Sequence, residues 1–571
     1  MDNNSKIILP KSNKLISFPK SIDKPLFIKT NVLKLKKKSN KLSYDEILNI
    51  NKENINNYSN YLSEIVYSEE LYYNSKHISY DELIDYINLN EPYGKDKYKN
   101  FKYSNYKYDN NIYFSSNFES GNLRMAIKHS NNEYDLIIRP ETNSTQNFQW
   151  FFFLVELTKP IKSKQYIIKF NIINLCKKNL LFNEKIRILS YYNNYWSRDT
   201  FNINLYENSL PNYNVEYDYN ENDYYNEKSF YTLTFSFDFS KIETNHKYVF
   251  FSYCYPYTYS KLTNFIFSLN TKKYIHYEEI GKTILGNSIY MIIITNFKDS
   301  LEIMSKKKCI LLTGRVHPGE SNSSYVIQGL IENLLSNDVL IDKLRKNFIF
   351  KIIPMLNPDG VILGNYRCNL NGYDLNRMWI DYNVEISPSN FYVHEIIKKT
   401  IEDRDIYLYC DFHGHSAKQN FFLYCCNNNN NDEELNFINL FNRESIYFDK
   451  KNCYNKISPF KITTARAVMK NYYGINLSFC LESSLTSYKL PNGSIYPFNI
   501  ESYKKIGKDF VIAIYKLTNS KLFNSDNKVI YSDKKDNYLK ISKKKSKTVF
   551  LPPIMHHKAN YSVSLLNTNN Y

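Results

Sequence analysis

Cys309-Ile-Leu-Leu-Thr-Gly-Arg-Val-His-Pro-Gly-Glu320 reads as a short apolar strand running out into a turn, and Tyr325 to Leu335 beyond it carries helical spacing. Strand, turn and helix in that order are the unit of an α/β domain. The turn holds an imidazole and a carboxylate, His317 and Glu320, on either side of Pro318-Gly319. A strand end feeding a tight turn sets both side chains on a rigid rim from which they can reach one cation. The pair alone is a weak signal. With 10 histidines and 57 acidic residues in 571, a His followed three places later by an acid arises about once by chance, and a capped helix start is the competing reading.

Further strands of the same kind follow. Phe348-Ile-Phe-Lys-Ile-Ile-Pro354, Asp405-Ile-Tyr-Leu-Tyr-Cys410 and Asn476-Leu-Ser-Phe-Cys480 are apolar runs typical of a sheet covered on both faces, and Tyr503 to Leu517 reads as a closing helix. Together they predict an α/β catalytic domain over residues 261–520, with a mixed sheet flanked by helices. Upstream the rhythm changes to close-spaced β-branched and aromatic runs, among them Gln149-Trp-Phe-Phe-Phe-Leu-Val-Glu156, Gln165-Tyr-Ile-Ile-Lys-Phe-Asn171 and Tyr231-Thr-Leu-Thr-Phe-Ser-Phe237. These predict an antiparallel β-sandwich domain over residues 106–260. Residues 1–105 are expected to be an Asn- and Lys-rich, partly disordered extension with short helices such as Tyr80–Tyr86, and residues 521–571 a basic, disordered tail.

Composition supports a folded chain, with 43% hydrophobic and 16% aromatic residues. The formal net charge of +17 suits an acidic partner, whether nucleic acid, an anionic membrane surface or a glutamate-rich peptide, and does not choose among them. The basic runs Lys34–Lys38 and Lys543–Lys547 read as solvated and receive no role. Nine cysteines without a Cys-x-x-Cys pair fit a reducing compartment, and apolar stretches such as Phe151–Val155 are too short to span a bilayer. The start, Met1-Asp-Asn-Asn-Ser-Lys, lacks the apolar core of a secretory signal. A soluble, cytoplasmic protein is the expectation.

The chemistry needs a third ligand and a base. Asp411-Phe-His413-Gly-His415 ends another apolar strand, where residues 411, 413 and 415 share one face. Two histidines and a carboxylate leave a fourth zinc position for water, as hydrolysis requires. Spacing does not choose between His413 and His415, and one of them must be an ordinary buried histidine. Glu482 emerges from the apolar run Ser478-Phe-Cys-Leu and is a candidate general base; half burial beside a cation is the alternative. Between the histidines, Asn357-Pro-Asp-Gly360 marks a turn. Arg367, Asn376 and Arg377 then crowd a polar loop region that could bind a carboxylate and stabilise an oxyanion.

His317-Pro-Gly-Glu320, Asn357-Pro-Asp-Gly-Val, Gly364-Asn-Tyr-Arg367-Cys, Asp374-Leu-Asn376-Arg377 and Asp411-Phe-His413-Gly-His-Ser416, in this order, resemble the zinc metallocarboxypeptidases, and among them the cytosolic carboxypeptidases that trim polyglutamate. Phe118–Leu123, Gln149–Phe153 and Tyr255–Ser260 resemble the β-sandwich that precedes the catalytic domain in that family, so the likeness covers roughly residues 110 to 520. The resemblance implies one Zn2+ per chain held by His317, Glu320 and His413. It further implies Glu482 as general base, Arg367 as oxyanion stabiliser and Asp374 orienting His317. Asn376 and Arg377 would grip the substrate's terminal carboxylate, and His415 would be a substrate-side neighbour. Arg466, in Thr463-Thr-Ala-Arg466, is the candidate for the side-chain pocket. The segment Cys480–Tyr488 looks most like the subtype cytosolic carboxypeptidase 6. The counterpart of the family's mobile substrate-contacting tyrosine is not assigned, Tyr454 being the candidate weighed. The implied substrates are C-terminal or side-chain glutamates on polyglutamylated or acidic-tailed proteins, tubulin among them, with a cytoplasmic and microtubule-associated location and no specific nucleic acid. A non-catalytic binder of acidic tails and a zinc hydrolase of small acyl-amino acids are the alternatives.

Overall fold

The computed structural model describes residues 64–68, 112–144, 147–159, 164–208, 230–243, 246–270, 272–426, 432–453 and 456–524. The helix expected at Tyr80–Tyr86, Tyr454, both basic runs and nearly all of the expected terminal extensions lie outside these residues. The described residues up to Lys521 belong to one compact unit.

Two sheets make the β-rich region. One is six-stranded, in the order β1 (Glu64–Ser68), β3 (Met125–Ser130), β4 (Glu133–Ile137), β6 (Ile167–Leu175), β10 (Tyr231–Asp238) and β9 (Phe201–Glu207). The other is five-stranded, in the order β2 (Ile112–Ser115), β5 (Phe152–Leu157), β11 (Tyr248–Ser252), β7 (Leu189–Tyr192) and β8 (Tyr195–Ser197). Pairing is antiparallel throughout, except that β4 and β6 run parallel. Aromatic side chains of the two inner faces interlock: the Phe251 ring of β11 lies 5.3 Å from Phe170 of β6 and 5.3 Å from Phe235 of β10. Such edge and tilted contacts explain why the strands are so rich in phenylalanine. β1 falls inside the segment expected to be a loose extension, and pairs with β3.

The α/β region is built on a seven-stranded mixed sheet, ordered β12 (Ile275–Lys282), β13 (Ser288–Ile294), β15 (Phe348–Ile353), β14 (Lys308–Gly314), β16 (Ile406–His415), β18 (Leu477–Ser484) and β17 (Phe421–Tyr424). β15, β14, β16 and β18 are mutually parallel and almost wholly buried, which is why they read as continuous apolar runs. One face packs on the helices Ser321–Leu334, Val339–Asn347, Asp432–Glu444 and Ile500–Asn524 through Leu330, Leu344, Phe437 and Phe510. The other packs on Pro388–Asp403 and Ala465–Asn471 through Val393, Ile397, Val468 and Met469. The helices Ser321–Leu334 and Ile500–Asn524 approach so closely that a Cβ at Gly507 would stand 2.0 Å from the Val326 carbonyl oxygen. A two-stranded ribbon, β19 (Ser487–Lys489) with β20 (Ile495–Pro497), completes the strands. No helix of the described residues is long and apolar enough to cross a membrane.

Candidate active site

The site forms at the C-terminal ends of the parallel strands, where such sheets open a crevice. After β14 the chain turns through Arg315, whose φ of 56° is left-handed. The buried Arg315 guanidinium donates to the carbonyls of Pro318 (2.7 Å) and Tyr257 (2.9 Å) and to the Ser324 hydroxyl (2.9 Å), pinning the turn. Gly319 lies against Tyr366, whose carbonyl accepts its N–H at 2.8 Å; a Cβ there would meet the Tyr366 ring at 2.4 Å, so only glycine fits. Glu320 then occupies the N-cap of the helix Ser321–Leu334 without a side-chain capping bond. The capped-start reading of this pair therefore gives way to another use of the carboxylate.

That use is a cluster with two histidines. His317 Nδ1 lies 2.8 Å from Glu320 Oε1, and His413 Nδ1 lies 3.0 Å from Glu320 Oε2, with the Gly414 N–H donating to the same oxygen at 2.9 Å. One donor atom from each of His317, Glu320 and His413 falls within 4.8 Å of the others, and all three side chains are buried. The far ring nitrogens are held by carboxylates: His317 Nε2 by Asp374 at 3.2 Å and His413 Nε2 by Asp411 at 2.7 Å. Asp411 also accepts from the Thr313 hydroxyl at 2.8 Å. A His2Glu donor set with both far nitrogens carried by carboxylates fits zinc.

The charges are balanced in pairs. Burial works to raise the Glu320 carboxyl, but His317 and His413 outweigh it and hold it well below the ordinary range. Burial likewise opposes Asp374, and His317 and Arg367 hold it down. Glu482 is different: burial raises its carboxyl and His413 only partly offsets this. His413 and Glu482 are partners in the β16–β18 register, so both project from one face of the sheet. Glu482 Oε1 has the Cys480 thiol 3.7 Å away.

The other expected residues gather around one cavity of about 700 Å³. Arg367 pairs with Asp374 at 2.5 Å. Asn376 places its Nδ2 3.5 Å from His413 Nε2, while its Oδ1 accepts from the Ala465 N–H at 3.0 Å. Arg377 donates to the Asn376 carbonyl at 3.0 Å. Arg466 is buried at the start of the helix Ala465–Asn471, donates to the Cys425 carbonyl and lies 5.6 Å from the Tyr424 ring. His415 is brought to the cavity but not to the cluster: its Nδ1 accepts from the Ala417 and Lys418 N–H groups at 3.2 and 3.0 Å. Burial, with Lys418 and Lys177 nearby, pushes its pKa down to about 4.

Sequence reasoning left several participants unassigned. Asp411 stood in its motif without a role, although its two-residue spacing from His413 put both on one strand face. Lys177, Lys418 and Lys461 line the cavity, and no sequence spacing marked them. Glu141, in the β-rich region, accepts the N–H groups of Tyr366, Arg367 and Cys368, at 2.8 Å and 3.0 Å for the first and last. With Arg139 donating to the Leu363 carbonyl (2.6 Å) and Asn143 to the Leu370 carbonyl (2.7 Å), the β-rich region grips the loop that presents Arg367.

The comparisons agree with this architecture. Residues 263–505 match the zinc carboxypeptidase family and residues 114–253 the cytosolic carboxypeptidase N-terminal domain. The chain is 36% identical to cytosolic carboxypeptidase 2 of Homo sapiens over 407 residues, covering 69% of this chain and 43% of that protein. It is 33% identical to cytosolic carboxypeptidase 3 of Mus musculus over 416 residues, covering 69% and 39%. It therefore spans less than half the length of these relatives. The likeness to subtype 6 continues to rest on Cys480–Tyr488 alone. Among solved structures, a metallo-carboxypeptidase from Pseudomonas aeruginosa superposes with a TM-score of 0.55 at 21% identity, over 71% of this chain and 99% of that one. One from Burkholderia cenocepacia does so with a TM-score of 0.56 at 19% identity, over 72% and 99%; these two show the fold.

Proposed function

This chain belongs to the zinc carboxypeptidase family and carries the N-terminal domain of the cytosolic carboxypeptidases, and from that premise we propose that it hydrolyses terminal glutamates from polyglutamylated or acidic-tailed proteins, tubulin among them, in the cytoplasm. The observation that carries the reading is the His317–Glu320–His413 cluster facing Glu482 inside a cavity whose walls hold Lys177, Arg367, Arg377, Lys418, Lys461 and Arg466. The donor set selects a hydrolytic metal and the cations select an acidic chain.

In this reading His317, Glu320 and His413 hold one Zn2+, which when bound supplies a Lewis acid and a water of lowered pKa. Glu482, standing on the neighbouring strand, takes the proton from the attacking water and returns it to the leaving amine. Its raised pKa suits a group that must first accept and then donate. Arg367 balances the negative charge that develops on the scissile carbonyl oxygen. Asn376 and Arg377 hold the terminal carboxylate, and Arg466 faces the glutamate side chain. A basic cavity also steers acidic tails to the site.

The test is release of free glutamate from polyglutamylated tubulin and from a synthetic poly-glutamate peptide by the zinc-loaded chain, with a chelator-treated control. Release that disappears on chelation and returns with zinc supports the reading. A folded, zinc-loaded chain that releases no glutamate from either substrate overturns it.

A further inference from the structure

The two metal-ligand histidines are backed by carboxylates in different surroundings. Asp374, behind His317, keeps 15% of its side chain exposed and pairs with the Arg367 guanidinium at 2.5 Å. Asp411, behind His413, has 1% of its side chain exposed, and no Lys or Arg among the described residues lies within ion-pair distance of it. A buried carboxylate without a cation is costly unless hydrogen bonds hold its charge. Oδ2 of Asp411 meets His413 Nε2 at 2.7 Å, and Oδ1 accepts from the Thr313 hydroxyl at 2.8 Å.

Thr313 extends this support into the interior. Its Oγ1 lies 2.7 Å from the Tyr409 hydroxyl, and both residues are fully buried. The sheet sets the arrangement: Thr313 of β14 stands opposite Asp411 of β16, and Tyr409, Asp411 and His413 alternate onto one face of β16. Valence then assigns the hydrogens. A carboxylate only accepts, so the single Thr313 hydroxyl hydrogen goes to Asp411 and the Tyr409 hydrogen goes to Thr313 Oγ1. His413 Nδ1 faces Glu320, so Nδ1 is the nitrogen left for a metal and Nε2 carries the ring proton. Tyr409, Thr313 and Asp411 make one oriented chain of hydrogen bonds that ends on a metal ligand.

Resting on the zinc-site reading above, we propose that Thr313 and Tyr409 are positioning residues of the metal centre. They hold the Asp411 carboxylate charged and in one orientation, and through it they fix the tautomer and angle of His413. Hydrogen bonds in such a chain polarise one another in a low-dielectric interior, so the Tyr409 donor strengthens the bond from Thr313. The two arms then differ in function. Arg367, which neutralises Asp374, is also the group that balances charge on the substrate, so the His317 arm feels each turnover. Neither Thr313 nor Tyr409 lines the cavity, and the His413 arm keeps its orientation with or without substrate.

Metal binding tests this apart from the chemistry. Zinc affinity of the full chain is measured by chelator competition, and the visible absorption of the Co2+-loaded chain reports the ligand geometry. Thr313→Val should weaken zinc binding about tenfold and shift the Co2+ bands, whereas Thr313→Ser, which keeps the donor, should match the wild type in both. Tyr409→Phe should weaken zinc about threefold. Added to Thr313→Val it should cost nothing more, because Tyr409 acts only through Thr313. A Thr313→Val chain that binds zinc as tightly as the wild type overturns the positioning role. So does a Thr313→Ser chain as weak as Thr313→Val, or a double variant in which the two losses add in full. A wild type that binds neither metal overturns the zinc-site reading and this role with it. Zinc affinities that follow the expected order in a chain releasing no glutamate keep the positioning role and remove the peptidase.

Discussion

His413 and Glu482 sit opposite one another on adjacent parallel strands, β16 and β18, and project from the same face of the sheet. Two residues earlier, Asp411 and Cys480 are aligned in the same way. The candidate base is thus positioned by the strand backbone rather than by a loop, and its distance from the metal-ligand cluster is fixed by the sheet.

Because Glu482 lies outside the His317–Glu320–His413 donor set, Glu482→Gln should lower kcat/KM for glutamate release by at least ~100-fold while zinc content stays near that of the wild type. His413→Ala should lose the metal itself. Zinc quantified on the purified variants decides between these roles: loss of zinc from Glu482→Gln would make Glu482 a ligand instead of a base.

Asp411 and Asp374 hold the far nitrogens of His413 and His317, and groups in that position commonly tune metal affinity by ~10–100-fold. Asp411→Asn should weaken zinc retention in a chelator titration to that extent. Asp374→Asn should do the same and also release Arg367, which Asp374 holds at 2.5 Å. Its kcat should therefore fall further than its metal loss explains, measured at saturating zinc. Equal zinc retention by wild type and Asp411→Asn would sink the positioning role.

The parts of the molecule that were legible in sequence are those where burial is complete. Cys309–Thr313, Phe348–Ile353 and Leu477–Cys480 are covered on both faces, so their apolar runs carry the sheet with them. β1 escaped notice because a five-residue strand, Glu64-Ile-Val-Tyr-Ser68, sits amid Asn- and Lys-rich sequence and is held by non-local contacts, its pairing with β3 and the burial of Tyr67. The parallel pair β4–β6 was equally invisible, since close-spaced strands read as hairpins. His317, Glu320 and Glu482 stood out as polar groups at strand ends. The choice between His413 and His415 needed the third dimension, where the Ala417 and Lys418 N–H groups occupy His415. Glu141 gave no sign at all, because the backbone N–H groups it accepts from lie more than 220 residues further along the chain.

Removing that Glu141 contact should be costly. Its buried carboxylate accepts three backbone N–H groups, and in Glu141→Gln an amide NH2 would face donors. A loss of ~1–3 kcal/mol of stability is expected from the unsatisfied donors, seen as a lowered Tm, with a fall in kcat as Arg367 shifts. A Glu141→Gln chain with unchanged Tm and unchanged kcat would show that the loop is held by other contacts.

The loop bearing Asn376 and Arg377 has an acid-sensitive anchor. His394 is buried, its Nε2 is 3.0 Å from the Trp379 carbonyl, its Nδ1 meets the Tyr473 hydroxyl, and the Tyr382 ring stacks on it at 3.7 Å. The neutral ring satisfies both partners, donating from Nε2 and accepting at Nδ1, and burial lowers its pKa from 6.5 to about 4. The unfolded chain therefore binds this proton first, so the contribution of His394 to stability is fully present above pH 6.5 and is lost as pH falls toward 4. At pH 5 the loss amounts to ~2 kcal/mol. Urea unfolding at pH 7 and pH 5 should show the wild type losing that much more than His394→Gln, which keeps a donor and an acceptor but cannot charge. An equal loss in both proteins would mean that the imidazole is already free to take up its proton in the folded state.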